Sequence, residues 1–417
     1  MDGYLILVFV LYLITVIFGY SMKFLNLSHL KKYGAKVPPE FEGYIDADLL
    51  KKTRDYTVEH SQFGYIESIF NNVILIAFIF GGILNWYNSA FAFTFDSFIL
   101  NGLLFFLVMS VASSILDIPF DLYSTFKIEN KYGFNTKTIG LWITDFLKSM
   151  IISLIIFGIM GGLGFWIIQS NPDYWWIWLW AFFLVFSLFL MYISPYVIEP
   201  LFNKFTPIEE EEGLEDKIKE LMKKAGLKIS RVFKIDASKR SKHTNAYFTG
   251  IGKTKRIILY DTLLEKMTQD EILAILSHEA GHWKKKHIFK RLVVSELIGF
   301  VTIYVAFRIM KSDVLIDLFN ISEPSFFVKL VLLGFLGSIV SFPFTPISAY
   351  FSRKHERQAD RFAHDLMGES DSLASSLIKL SKDNLSNLHP HPLFAKLYYS
   401  HPPVVQRIRE LRKMDGD

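Results

Sequence analysis

The sequence predicts an all-α polytopic membrane protein of seven transmembrane helices, with a small α+β domain on the cytoplasmic side. Three observations lead there. Of the 417 residues, 51% are hydrophobic, among them 40 Phe, 19 Tyr and 8 Trp. A soluble chain of this length could not hide so much apolar surface, whereas a lipid-embedded one need not. Seven apolar stretches are long enough to span a bilayer as helices, and Lys and Arg gather in every second loop.

The stretches are residues 4–22, 69–86, 98–116, 150–168, 175–196, 292–309 and 326–347. The first has no basic residue before it and no small-residue cleavage site after it, so it reads as a retained anchor with its N-terminus outside. The connection 23–66 holds Lys23, Lys31, Lys32, Lys36, Lys51, Lys52 and Arg54, while the next loop has neither Lys nor Arg. The third holds Lys127, Lys131 and Lys137, the fourth none, 197–290 is rich in both, the following turn has Lys311, and the chain is basic again from Arg353. By the positive-inside rule, 23–66, 119–149, 197–290 and 348–417 face the cytoplasm. Trp175, Trp176, Trp178 and Trp180 read as an interfacial aromatic belt.

The chain divides into four parts: membrane helices and loops in 1–196, a mixed region in 197–290, two more helices in 291–347, and a helical C-terminal region in 348–417. Within 197–290, residues 209–226 have helical periodicity, and 232–236 and 256–260 read as short strands. The sequence holds no cysteine, which excludes disulfides, thiolate metal sites and a cysteine nucleophile. A net charge of +4 without a basic tract argues against a nucleic-acid partner.

The chemical signal is Ser277-His278-Glu279-Ala280-Gly281-His282. It follows a capping box, Thr268-Gln269-Asp270-Glu271, and the apolar Ile272, Leu273, Ile275 and Leu276, so it lies on a helix. Residues four apart share a helix face, which lets two imidazoles reach one zinc ion. Glu279, one step around, can take a proton from an activated water. This is the H-E-x-x-H arrangement of metalloproteases. A catalytic zinc takes three protein ligands, and the third must come from elsewhere. Glu356 is the best carboxylate candidate, with His355 and His364 as competitors. Asp360, one turn beyond, could hold a ligand histidine through its other ring nitrogen. His287, after Lys284-Lys285-Lys286, reads as part of a basic juxtamembrane stop.

Further motifs add a resemblance. Pro119-Phe120-Asp121-Leu122-Tyr123-Ser124-Thr125-Phe126, then Ile128-Glu129 and Tyr132-Gly133-Phe134-Asn135, form one signature. Glu199-Pro200-Leu201-Phe202-Asn203-Lys204-Phe205, a Ser-x-x-His-x-Asn-Ala-Tyr-Phe run ending at Phe248, and Ser400-His401-Pro402-Pro403 are others. In this order, over nearly the whole chain, they resemble the CAAX prenyl protease 1 family of gluzincin-type integral-membrane zinc metallopeptidases.

The resemblance implies one zinc ion per chain, held by His278, His282 and Glu356, with Glu279 as general base and Asp360 supporting a ligand. It implies that His401 and Arg407 stabilise the oxyanion and that Asn245, Ala246 and Tyr247 lie on an edge strand that holds substrate. The implied fold is a ring of seven helices around a large water-filled chamber, with the zinc site at its cytoplasmic end. Such a chamber would accommodate Glu296 and Arg308; the alternative is that they fall outside the true spans. The implied activity removes the last three residues after a prenylated Cys. The partners would be a prenylated or membrane-associated peptide or protein and the lipid bilayer, in a bacterial inner membrane or the endoplasmic reticulum. The nearest alternative is an HtpX-type quality-control protease, against which the length and the third-loop signature argue. A transporter with a regulatory zinc and a catalytically dead receptor are further readings, and the full ligand set plus base opposes the latter.

Overall fold

In the lipid interior every backbone polar group must be satisfied within its own segment, so apolar spans become helices. The computed structural model describes residues 3–208, 213–249 and 255–416. Seven of its helices are long and apolar enough to cross a membrane. They run beyond the apolar stretches. Helix α1 covers Gly3–Tyr33 and α2 Ala47–Phe80, so most of the expected loop 23–66 is helical and only 34–46 connects the two. Asp46 starts α2 by accepting a hydrogen bond from Leu49 N at 2.8 Å. The expected second span breaks at Gly81-Gly82. Gly82 adopts φ +82, a conformation costly for any other residue, and a short helix α3, Ile83–Phe91, turns off there. Next come α4 (Phe98–Tyr123), α5 (Ile139–Ser170) and α6 (Trp175–Val197).

The soluble part begins with strand β1, Phe205–Pro207. Helix α7 (Leu214–Lys224) and strands β2 (Ile229–Ile235), β3 (Ala246–Thr249) and β4 (Lys255–Tyr260) follow. The sheet order is β1-β2-β4-β3, with β2 and β4 parallel and the outer pairs antiparallel. Both expected strands are present. β1 escaped notice because three residues carry no readable alternation. Helix α8 (Gln269–Lys284) packs on the sheet, and Ile218, Met222, Ile257, Leu259, Leu276 and Ala280 form the core between them.

The chain re-enters the membrane as α9 (His287–Met310) and α10 (Phe326–Ser341). A single tight turn at Phe342–Phe344 joins α10 to α11, Thr345–Met367, so the last span leads straight into a helix of the soluble part. Helices α12 (Asp371–Asp383), α13 (Pro392–Tyr398) and α14 (Val404–Met414) finish the chain. Ala274 of α8 shares a core with Phe41, Leu50, Leu377, Ile408 and Leu411. The regions 197–290 and 348–417, separate in sequence, are therefore one packed unit.

Around the membrane part, α1, α2, α3, α4, α5, α6, α9 and α10 contact one another in succession, and α10 returns to α1. Across this circuit α10 also packs on α3 and, through Phe326 and Phe327, on Phe98 and Phe105 of α4 and Phe165 of α5. Of the Trp belt, Trp175 is buried against Phe307 and Phe326, and Trp176 packs on Phe300 and Tyr304. Trp180 donates its indole N–H to Glu296 O at 3.2 Å. Only Trp178 of the four is exposed, so three of these residues act as helix-packing groups. Glu296 lies well inside α9, whereas Arg308 sits in its last turn against Tyr304.

Candidate metal centre

The centre is built on α8 and α11. Helix α8 starts with the expected box: Thr268 Oγ1 accepts from Glu271 N and Glu271 Oε2 accepts from Thr268 N at 2.8 Å. Glu271 also accepts from Lys379 Nζ at 2.8 Å and Ser375 Oγ at 2.6 Å, both on α12. Burial pushes the Glu271 carboxyl up, but these donors outweigh it and hold the pKa below its usual value. The cap thus anchors α8 to the C-terminal helices.

Gly281 sets the distance between α8 and α11. A Cβ there would sit 3.0 Å from Ala359 Cα, 3.1 Å from Phe362 Cβ and 3.2 Å from Ala359 O. Those neighbours include backbone and cannot swing aside. The missing side chain therefore lets α11 bring Glu356 and Asp360 against the two histidines.

His278, His282 and Glu356 each offer a donor atom, and the three lie within 4.8 Å of one another. The two Nε2 atoms face each other at 3.1 Å. Glu356 Oε2 is 3.4 Å from His278 Nε2, and Oε1 is 3.3 Å from His282 Nε2. Oε2 is buried and accepts no hydrogen bond, an expensive condition that a cation would relieve. His278 Nδ1 lies 2.8 Å from Asp360 Oδ1, which fixes the tautomer that leaves Nε2 free as a ligand atom. Burial would lower the His278 pKa, but Asp360 and then Glu356 outweigh it and hold it up at about 9. The pocket is built to attract positive charge, and two imidazoles with a carboxylate are a zinc donor set. The residues present fit the ion.

The remaining expected residues fall as follows. Glu279 is half-buried on α8 beside the cluster. Asp360 is buried and takes two bonds from Arg407, one from Nε at 2.9 Å and one from Nη2 at 2.5 Å. Arg407 Nη1 is left 3.7 Å from Glu356 Oε2. His401 is mostly exposed, with Nε2 3.4 Å from Glu356 Oε1 and Nδ1 2.9 Å from Ser400 Oγ. Ala246 and Tyr247 open strand β3, an edge of the sheet that packs near α8, and Asn245 precedes them. Tyr247 donates to Glu199 Oε2 at 2.7 Å, tying that edge to the end of the fifth span.

Of the competing ligands, His364 is engaged with Ser370 and Asp415. His355 stacks on His287 at 4.0 Å. His287, which reads as part of a basic juxtamembrane stop, does open the sixth span, but it is 2% exposed and its Nδ1 lies 3.1 Å from His282 Nδ1. Its position depends on Lys286, which takes φ +57 and reverses the chain between α8 and α9. A lysine in that conformation leaves no signal in a basic run.

The loop motifs dock the two parts. Glu129, held by Tyr56 at 2.8 Å, faces His243 of the soluble part at 3.4 Å, while Asp121 accepts from Trp142 Nε1 at 2.7 Å within the membrane helices. Arg240 holds Asp145 through two bonds of 2.9 Å.

Comparison with known proteins agrees. Residues 26–204 match the family described as CAAX prenyl protease N-terminal, five membrane helices, and residues 209–415 match peptidase family M48. The chain is 34% identical to a CAAX prenyl protease 1 homolog of Arabidopsis thaliana, covering 91% of each chain. It is also 34% identical to CAAX prenyl protease 1 of Saccharomyces cerevisiae, over 90% of this chain and 88% of the other. The crystal structure of S. mikatae Ste24p superposes with a TM-score of 0.91 at 31% identity, covering 99% of both chains. With two helices converging on a His-His-Glu donor set beneath seven membrane spans, this chain belongs to the CAAX prenyl protease 1 family of M48 peptidases and is a multi-pass membrane metalloprotease.

Proposed function

We propose that the chain is a zinc-dependent endopeptidase that removes the C-terminal tripeptide from prenylated CAAX proteins, with its active site facing the cytoplasm. The observation that carries the metal chemistry is the convergence of His278, His282 and Glu356 on one point. The substrate class follows from the relatives, whose names specify prenylated CAAX proteins. The orientation follows from the loop charges.

Zinc, when bound by these three residues, supplies Lewis acidity that lowers the pKa of a water to about 7. The chain's own groups do the rest. Asp360 keeps His278 in its ligating tautomer, and Arg407 holds both Asp360 oxygens. Arg407 fixes Asp360 and balances Glu356, and together with His401 it serves the oxyanion, as the resemblance implies. His401, exposed and close to Glu356, donates from Nε2 to the oxyanion of the scissile carbonyl. Glu279 accepts a proton from the attacking water as the new C–O bond forms. It passes that proton to the amine nitrogen as the C–N bond breaks. The free edge of β3 holds the extended substrate in register by main-chain hydrogen bonds.

The test is purified protein assayed with a farnesylated CAAX peptide and with an unfolded membrane protein, with and without chelator, alongside metal analysis. One zinc per chain and chelator-sensitive cleavage of the farnesylated peptide are expected. Cleavage of the unfolded protein alone would overturn the substrate assignment, and cleavage unaffected by complete metal removal would overturn the metal assignment.

A further inference from the structure

We infer that His287, backed by Gln358, is a positioning residue that sets the tautomer and aim of the metal ligand His282. His278 has a carboxylate behind it, whereas the group behind His282 is a second imidazole. The two Nδ1 atoms are 3.1 Å apart, and the rings meet at 77°. On its far side, His287 Nε2 is 2.9 Å from Gln358 Oε1.

Two facing ring nitrogens at that distance share one proton, so one donates and the other accepts. His282 must be neutral with its Nε2 lone pair free to ligate a metal, so its proton is on Nδ1 and Nδ1 donates. His287 Nδ1 accepts. The His287 proton therefore sits on Nε2 and is donated to the amide oxygen of Gln358. The bonds run one way, from the metal ligand to a neutral amide. His355 stacks on His287 with an interplanar angle of 11°, which restrains ring rotation and keeps Nδ1 aimed. Gln358 and His355 both belong to α11, the helix that carries Glu356. One helix thus supplies the third ligand, the support for His278 through Asp360, and the support for His282 through His287.

This inference rests on the ligand set of the proposed function. Its test measures the zinc dissociation constant of the full-length protein in detergent by chelator competition, together with the visible spectrum of the cobalt-substituted protein. His287→Ala is expected to weaken zinc 10–100-fold, the usual effect of losing a group that orients a ligand, and to change the cobalt spectrum. His287→Asn, whose amide oxygen can accept where Nδ1 does, should restore most of the affinity. Gln358→Met should weaken zinc, and Gln358→Glu, which can only accept, should not. Should His287→Ala fail to fold, the two Gln358 variants still read the direction of the bonds. Native affinity in His287→Ala, equal losses in the Ala and Asn variants, or weakening by Gln358→Glu as large as by Gln358→Met would each overturn the inference. If the native protein binds no zinc, the ligand set itself falls and this inference with it; native binding with unaffected variants removes the inference alone.

Discussion

The membrane helices and the metal centre are closely packed by different kinds of neighbour. Among the membrane helices, an added Cβ at Gly299 of α9 or Gly337 of α10 meets nothing within 4 Å, while at Gly102 of α4 it would meet only side chains, the rings of Phe165 and Phe327 at 2.6 Å. At Gly281 of α8, the same atom runs into the backbone of α11. Membrane helices adhere through aromatic contacts, such as Phe98 on Phe327 at 5.1 Å, and through isolated polar clasps. One clasp is Asn88, fully buried, which donates to Glu323 O at 2.6 Å and accepts from Ser325. Helices that span a membrane have only to hold together. A ligand set has to hold three donor atoms to within fractions of an ångström, and that needs two helices at their closest approach.

The sharpest test of this contrast is chemical. Glu279→Gln should lower turnover by about 10²–10⁴-fold, the usual contribution of a general base, while zinc content stays at the native level. Loss of the metal together with activity would show that Glu279 is a structural member of the centre. Asp360→Asn should weaken zinc about 10–100-fold, read by chelator competition, because the amide gives Arg407 and His278 one acceptor between them. Unchanged affinity would leave Asp360 without its role.

Smaller effects compare the two regions directly. Gly281→Val should cost about 1–3 kcal/mol of stability through overpacking and should also reduce zinc affinity. Gly299→Ala and Gly337→Ala should be neutral or stabilising by up to about 1 kcal/mol, the helix preference of Ala over Gly. Thermal unfolding in detergent separates them, and equal losses at all three positions would erase the distinction. Asn88→Ala should cost about 1–3 kcal/mol by leaving Ser325 and Glu323 O without their partner, with kcat unchanged. A fall in kcat would mean that the far end of the membrane helices is coupled to the centre.

The smallest effect concerns the cap. Because the folded pKa of Glu271 is depressed, its stabilisation is complete above the ordinary carboxylate range and fades as pH falls through the folded value. Glu271→Gln keeps the box acceptor but loses the charge facing Lys379, and should therefore cost up to about 1 kcal/mol at neutral pH, a difference from the native protein that should narrow in acid. A gap independent of pH would assign the effect to packing.

Much of this was readable because it is local. A capping box followed by His278-Glu279 and His282 specifies a helix with two imidazoles on one face, whatever surrounds it. Spans and loop charges depend only on transfer free energy along the chain. The break at Gly81-Gly82 and the continuation of α1 and α2 into charged segments were less visible. Helix propensity there is set by packing on other elements and not by hydropathy. Spacing alone favours Glu356 as the carboxylate but leaves His355 and His364 as competitors, since nothing in the sequence says which face of α11 turns toward α8. His287 was read as part of a basic stop because its neighbours are lysines.

The sequence by itself determined the seven spans and a helix carrying two imidazoles and a carboxylate a step apart, both of which follow from hydropathy and periodicity within single segments. Tertiary structure alone decided which distant carboxylate completes the set, that Arg407 is engaged with Asp360, and that His287 stands behind His282. Those choices depend on how close two helices come and which way the chain turns between them. Gly281 and the left-handed Lys286 set both, and their effect exists only once α11 is packed against α8.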